Sequence, residues 1–240
     1  MSQNQSSDTK PPEAYNGIEI LEVMDLAVNY NSFLLRQIQR RANKSDHILD
    51  FGSGAGQFAV AMREDGYNVT CLEPDPELAA RLTDKGFSVI SSLDQAGEDV
   101  FDYIYTVNVL EHIEDDAASV STLHKSLKPE GYLFVYVPAF QVLYSSMDRK
   151  VGHFRRYRHH GLKALLTGSG FQIHELRYTD SLGFLASLLF KLVGNDEGDI
   201  NPKALVLYDR VAFPLSRLFD HLAGRFIGKN LLSICQSGKA

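Results

Sequence analysis

The chain has 240 residues, 44% of them apolar and 22% charged, enough for one large domain with a modest elaboration and too apolar for a disordered chain. A net charge of -6 excludes general nucleic-acid binding, which needs a surplus of Lys and Arg against phosphate. Two cysteines, Cys71 and Cys235, exclude a disulfide framework and predict a reducing, cytoplasmic setting.

Residues 1–17 read as a flexible tail, rich in Ser, Gln and Asn and without the apolar core of a signal peptide. The remainder, 18–240, reads as a single domain. Ile18 to Arg41 carries Ile20, Leu21, Met24, Val28, Leu34, Leu35 and Ile38 at helical spacing, and Tyr30-Asn31 is the expected break. Residues 18–45 therefore form an N-terminal helical cap. An alternation of strands and helices follows over 46–138. Strands are predicted at His47–Phe51, Asn68–Glu73, Phe87–Ile90, Phe101–Val107 and Tyr132–Val137. Helices are predicted at 56–64, at 76–85 with Asp75 as N-cap and Pro76 in the first turn, and after the acidic start Glu114-Asp115-Asp116. Lys128-Pro129-Glu130-Gly131 is expected to stop that last helix.

Past Pro138 the pattern changes. A long loop, 139–158, leads to a helix ending at Leu166 and a strand at Phe171–Tyr178. Two apolar helical segments, Leu182–Val193 and Ala204–Leu222, precede a closing strand at Leu231–Cys235. The first is too short to span a bilayer, which takes about 18 or more apolar residues, and it carries Lys191. Seven strands alternating with helices predict an α/β fold: a doubly wound, mostly parallel sheet with ligand sites at the carboxyl ends of its strands.

The glycine turn after the first strand is Asp50-Phe51-Gly52-Ser53-Gly54-Ala55-Gly56. A dinucleotide fingerprint would read G-x-G-x-x-G, whereas here the third glycine comes one position early and an acid stands two before the first. A carboxylate there suits a cation and would repel a diphosphate. The pattern resembles motif I of class I S-adenosylmethionine-dependent methyltransferases, whose methyl donor carries an ammonium and a sulfonium. The resemblance implies a Rossmann-like methyltransferase fold, S-adenosylmethionine as cofactor and S-adenosylhomocysteine as product.

Further segments over about Tyr30 to Gln172 are similar to the same superfamily. Glu73-Pro74-Asp75 looks like the post-I acidic loop, implying Glu73 at the ribose and Pro74 and Asp75 bordering the adenine. Leu93 and Asp94 follow the third strand where the family places its adenine contacts. Asn108-Val109-Leu110-Glu111-His112-Ile113 resembles the motif IV segment of small-molecule methyltransferases, including ubiquinone-pathway O-methyltransferases. It implies Asn108 near the methionine end and His112 facing the reaction space. Leu127 to Gly131 matches an "LKPGG" turn, with Glu130 in place of a glycine. Asp148 … Gly152-His153-Phe154-Arg155-Arg156-Tyr157 resembles a "GHxRRY" signature of uncharacterised bacterial type 11/12 methyltransferases, as does Asn29-Tyr30-Asn31, which puts Tyr30 among the cofactor residues.

Methyl transfer is an in-line displacement that depends on alignment, and a base is needed only where the acceptor must lose a proton. His153 and His112 are the candidate catalytic residues. Arg155, Arg156, Tyr157 and Asp148 are candidate substrate residues, because guanidinium forks match an anionic group; alternatively Asp148 pairs with one arginine and orders the loop. The sequence lacks a catechol-type Asp…Asp-Asn set, so metal independence is expected. A small-molecule acceptor methylated at oxygen is the leading expectation, anionic or lipid-linked, with peripheral membrane contact through the apolar helices. A non-catalytic module that binds S-adenosylmethionine or a partner is the alternative.

Overall fold

The computed structural model describes residues 22–193 and 201–238; the expected tail and the first residues of the N-terminal helix lie outside them. Helix α1 (Val28–Gln39) precedes β1 (His47–Phe51), α2 (Gln57–Glu64), β2 (Asn68–Leu72), α3 (Pro76–Asp84) and β3 (Ser88–Ile90). Then come β4 (Phe101–Val107), α4 (Asp116–Ser126), β5 (Leu127–Pro138), the short α5 (Ser146–Lys150), α6 (His159–Gly168) and β6 (Phe171–Thr179). The chain continues through α7 (Ser181–Val193), α8 (Pro202–Leu207), a π turn (Tyr208–Ala212), α9 (Phe213–Ala223) and β7 (Asn230–Ser237).

The seven strands form one sheet in the order β3-β2-β1-β4-β5-β7-β6. The first five are parallel and β7 runs antiparallel between β5 and β6. The order reverses between β1 and β4, so their carboxyl ends open a crevice of the kind in which doubly wound sheets bind ligands. Each face of the sheet carries an apolar cluster. One includes Leu49, Ile104, Leu133, Val135 and Leu162; the other includes Ile48, Tyr103, Phe134, Phe33 and Phe213. A strand's alternation assigns neighbours such as Ile48 and Leu49 to opposite faces.

Local signals explain several boundaries. Asp75 caps α3 by accepting from Glu77 N and Leu78 N at 2.9 and 3.0 Å, and Pro76 takes the first turn. Three expectations need correction. The break in the N-terminal helical region falls at Asp25–Ala27, ahead of Tyr30-Asn31, which is helical. Lys128 to Gly131 does not lie outside the sheet, because β5 starts at Leu127 and pairs Phe101 with Leu127 before shifting register at Tyr103. Glu130 there takes φ +62°, a conformation that a glycine at that position would adopt without strain. The loop over 139–158 holds a 3-10 turn and α5.

The C-terminal helices are pinned by polar side chains. Asp220 accepts from Asp180 N and Ser181 N at 2.8 Å each, and Ser216 Oγ accepts from Leu182 N at 2.9 Å, capping α7. Asp209 does the same for α1, accepting from Asn29 N and Tyr30 N at 2.9 Å each. These bonds tie the N-terminal helix to the C-terminal layer.

Candidate functional site

The glycine turn leaves β1 under tight steric control. Gly52, Gly54 and Gly56 have φ of +79°, +54° and +83°, and Gly52 N and Ser53 N both donate to Leu72 O at 3.0 Å. A Cβ on Gly52 would stand 2.3 Å from Val109 Cγ2, so the turn presses directly on the segment after β4. Glu73, at the end of β2, accepts from Gly54 N at 2.7 Å and from Asp75 N at 2.9 Å. Burial pushes its carboxyl up and those two donors pull it back down. Pro74 and Asp75 follow, with one oxygen of Asp75 committed to its cap.

Asp50 sits one residue inside the end of β1 and is buried. Burial pushes its carboxyl up to about 7, opposed by Tyr105 and Ser53 beside it and reinforced by the charge of Glu73. Among the described residues it forms no ion pair, so a cationic ligand group would meet an unbalanced acid.

Asn108 follows β4 at φ +54°, its N–H bonded to Tyr136 O at 2.8 Å. Tyr30 reaches the same point from α1. Its ring packs edge-on against Tyr136 and Phe213, with centroids 6.1 and 5.4 Å away, and its buried hydroxyl lies near Tyr136 and Asn108. Thus the structure gathers Asp50, Gly52, Gly54, Gly56, Glu73, Asn108 and Tyr30 around adjoining strand ends. Leu93 and Asp94 lie on a 3-10 turn past β3, with Leu93 packed against the core and Asp94 exposed.

Beyond Asn108, Glu111 and His112 lie on a 3-10 turn, and the loop after β5 brings His153 over them. The rings of His112 and His153 meet edge-to-face with centroids 4.5 Å apart. His153 Nδ1 is 2.7 Å from Asp148 Oδ1, and its Nε2 is 3.9 Å from Glu111 Oε1. Burial lowers His112 to about 4, with His153 adding to the effect, so it is neutral at pH 7. Glu111 is fully buried, which raises its carboxyl to about 8. Sequence reasoning passed over Glu111, whose type is common in a strand-end segment and whose burial no spacing reveals.

The expected substrate arginines are otherwise engaged. Arg156 is buried and forks onto Asp148, Nε to Oδ1 at 2.8 Å and Nη2 to Oδ2 at 3.0 Å. Arg156, together with His153, holds the Asp148 carboxyl well below its usual range. Arg155 pairs with Asp116 at 2.8 Å, and the Tyr157 hydroxyl donates to that same carboxylate at 2.6 Å. Both guanidiniums are thus paired with carboxylates of the same chain, the arrangement of the alternative reading, in which Asp148 pairs with an arginine and orders the loop. The same Asp148 carboxylate that takes the Arg156 fork also holds His153 Nδ1.

A methyltransferase-domain family model matches residues 26–176. The chain belongs to the class I S-adenosylmethionine-dependent methyltransferases. The ubiquinone biosynthesis O-methyltransferase of Xylella fastidiosa is 37% identical over 117 residues, 44% of this chain and 47% of that enzyme. The same enzyme of Hydrogenovibrio crunogenus is 32% identical over 110 residues, 42% and 45% of the two chains. The match thus spans about half the length of these curated relatives. An S-adenosylmethionine-dependent methyltransferase of Archaeoglobus fulgidus shares the fold with TM-score 0.62 at 16% identity, covering 91% of this chain and 99% of that one. Phosphoethanolamine N-methyltransferase 2 of Haemonchus contortus, solved with S-adenosyl-L-methionine, does so with TM-score 0.60 at 14% identity, covering 88% and 53%. S-adenosylmethionine is the cofactor of this methyltransferase.

Proposed function

We propose that this methyltransferase moves a methyl group to an oxygen of a small-molecule acceptor carrying a hydroxyl or carboxyl group. The observation that carries the reading is the imidazole pair His112–His153, set at the strand edge that holds the glycine turn, with centroids 4.5 Å apart. The O-methyltransferase relatives support the choice of oxygen. Bound S-adenosylmethionine supplies an activated methyl on a sulfonium. Asp50 offers its unbalanced carboxylate to the cationic methionine end, beside Asn108 and Tyr30. Gly52, Gly54 and Gly56 let the backbone come close, Glu73 takes the ribose hydroxyls, and Pro74, Asp75, Leu93 and Asp94 border the adenine. His153 and His112 are the catalytic groups that meet the acceptor oxygen, whose proton is released to solvent as the methyl arrives. Alignment supplies much of the rate, because the reacting groups are held and charge is dispersed as they react.

The test is a panel of phenols, quinols, carboxylic acids and amines incubated with the methyltransferase and S-adenosylmethionine, with S-adenosylhomocysteine release as readout. Turnover confined to oxygen acceptors is expected. Turnover confined to amines would overturn the reading, and tight cofactor binding with no turnover across metabolite extracts would favour the non-catalytic alternative.

A lipid-linked acceptor is favoured by one surface. Leu207, Val211, Leu215, Leu218, Leu222 and Phe226 recur at three- and four-residue steps and are 50–82% exposed, with Arg210 and Arg225 exposed beside them. Among the described residues no helix is long and apolar enough to cross a membrane. Such a stripe suits resting on an anionic lipid surface. Co-sedimentation with anionic vesicles should fall at least tenfold in Leu218→Asp/Phe226→Asp, since each buried side chain contributes about 1.5–3 kcal/mol. No binding by the unmodified chain would remove the membrane role.

A further inference from the structure

Of the buried side chains with a polar atom that lacks a hydrogen-bond partner among the described residues, Tyr105, Thr106, Ser181 and Asn230 are neutral and Glu111 is the acid. Glu111 is 0% exposed, yet neither carboxylate oxygen has a hydrogen-bond partner. Orphaned acids of this kind are rare, because the desolvation of two oxygens goes uncompensated. One ligand atom each from Glu111, His112 and His153 lies within 4.8 Å of the other two.

We propose that Glu111, His112 and His153 form a binding site for a first-row divalent transition cation, Zn2+ foremost. Two imidazoles and one carboxylate suit such a cation, whereas Mg2+ and Ca2+ prefer all-oxygen shells. The second ring nitrogen of His153 supports the assignment. His153 Nδ1 is held by Asp148 at 2.7 Å. Fixing one imidazole nitrogen on a carboxylate, so that the other aims at the ion, is the usual outer shell of a histidine metal site. Asp148 is itself fixed by the Arg156 fork and by Ser145 N at 2.8 Å. Arg156, from the Gly152–Tyr157 segment, and Asp148 together aim His153.

Tetrahedral donors about a zinc ion stand roughly 3.3–3.4 Å apart, from metal–ligand distances near 2.0–2.1 Å. The 3.9 Å between His153 Nε2 and Glu111 Oε1 would close by about half an ångström, and no pair of the three ligand atoms has to close by more than about 1.5 Å, a movement within the swing of the side chains. Three protein ligands leave a fourth position open, as catalytic zinc sites do. On the proposed methyl transfer, which this last step rests on, that position takes the acceptor oxygen and favours its deprotonated form. The metal independence expected from the absence of a catechol-type acidic set does not bear on this nitrogen-rich site.

The test uses the full chain stripped with EDTA and titrated with Zn2+ by calorimetry and with Co2+ by visible absorption. One equivalent of Zn2+ and the intense bands of four-coordinate Co2+ are expected. Glu111→Gln and His153→Ala should each weaken Zn2+ at least 100-fold, and Asp148→Asn by about 10–100-fold. S-adenosylhomocysteine affinity reports that each variant is folded. Weak, aquo-like Co2+ absorption by the unmodified chain would overturn the site without recourse to any variant. So would Zn2+ affinity unchanged in Glu111→Gln and His153→Ala. Because these readouts need no acceptor, they stand apart from the acceptor panel. Tight Zn2+ binding with no oxygen methylation would keep the site and remove only the acceptor's place in it.

Discussion

Asp209 offers a severe test of how the two ends of the chain cooperate. The first N–H groups of α1 have no partner within their helix, and no local side chain caps them. Asp209, 180 residues away and 2% exposed, accepts from Asn29 N and Tyr30 N at 2.9 Å each. Replacing it with alanine orphans both donors. A cap is worth about 0.5–2 kcal/mol and a hydrogen bond to a charged group about 1.5–3 kcal/mol, so roughly 3 kcal/mol is a fair sum for the two. In a chain of this size each kcal/mol moves Tm by about 2–4 °C, so Asp209→Ala should melt about 6–12 °C lower. Asp209→Asn keeps one acceptor and should lose about half of that. The same residue holds Tyr30, proposed to line the methionine end beside Asn108, so S-adenosylhomocysteine affinity should fall about tenfold, equivalent to 1.4 kcal/mol. Differential scanning fluorimetry and calorimetry measure the two effects, with exposed Arg210→Ala as a control held within about 0.5 kcal/mol. A melting temperature for Asp209→Ala within about 2 °C of the unmodified chain would refute the remote cap.

Asp50 has an ordinary carboxyl value of 3.8 and a folded value near 7, so between those values the folded chain holds a proton that the unfolded chain has released. Its contribution to stability is therefore lost as pH rises from about 4 to 7, and Asp50→Asn should flatten that slope in urea unfolding at several pH values. With Asp50 at the methionine end, as proposed, the cofactor needs the ionised form opposite its cationic end. Affinity should climb through about pH 7 in the unmodified chain and stay level in Asp50→Asn, and a parallel rise in both would sink the assignment. Arg156→Ala strands Asp148 without its guanidinium and should cost about 3–5 kcal/mol, lowering Tm by more than about 6 °C. S-adenosylhomocysteine affinity should change little, and an unchanged Tm would return Arg156 to a substrate role.

The parallel half of the fold was legible because its elements are locally over-determined. His47–Phe51 and Phe101–Val107 are apolar runs bounded by turns, and Asp75-Pro76 marks the start of α3 by cap and ring chemistry. The C-terminal layer was harder. A periodic reading of 204–222 sees apolar helix, and in that pattern Asp209, Ser216 and Asp220 look like incidental polar positions. In the structure these three cap α1 and α7, contacts that span 180, 34 and 40 residues and leave no local trace. The break before α1 was misplaced for the same reason, since what starts that helix is a side chain from the other end of the chain.

At the site, spacing located the residues while burial decided their roles. The glycine turn announces itself because its conformation demands particular residue types, with three positive φ values and a Val109 side chain where a Cβ would stand. Arg156 and Glu111 carry no such mark, and their environments set their roles. An arginine in a basic loop reads as a hand extended to an anion, yet this one is spent on Asp148. Glu111 draws no role from its residue type, yet it is sealed with both oxygens unmatched. The two are one arrangement: Arg156 fixes Asp148, Asp148 fixes His153, and His153 turns its second nitrogen toward Glu111. If that chain of contacts serves only to order a loop, Asp148→Asn should lower stability and leave cation binding and methyl transfer alike untouched. If it serves to aim an imidazole, the same variant should weaken both, the cation by about 10–100-fold beyond any loss in folding.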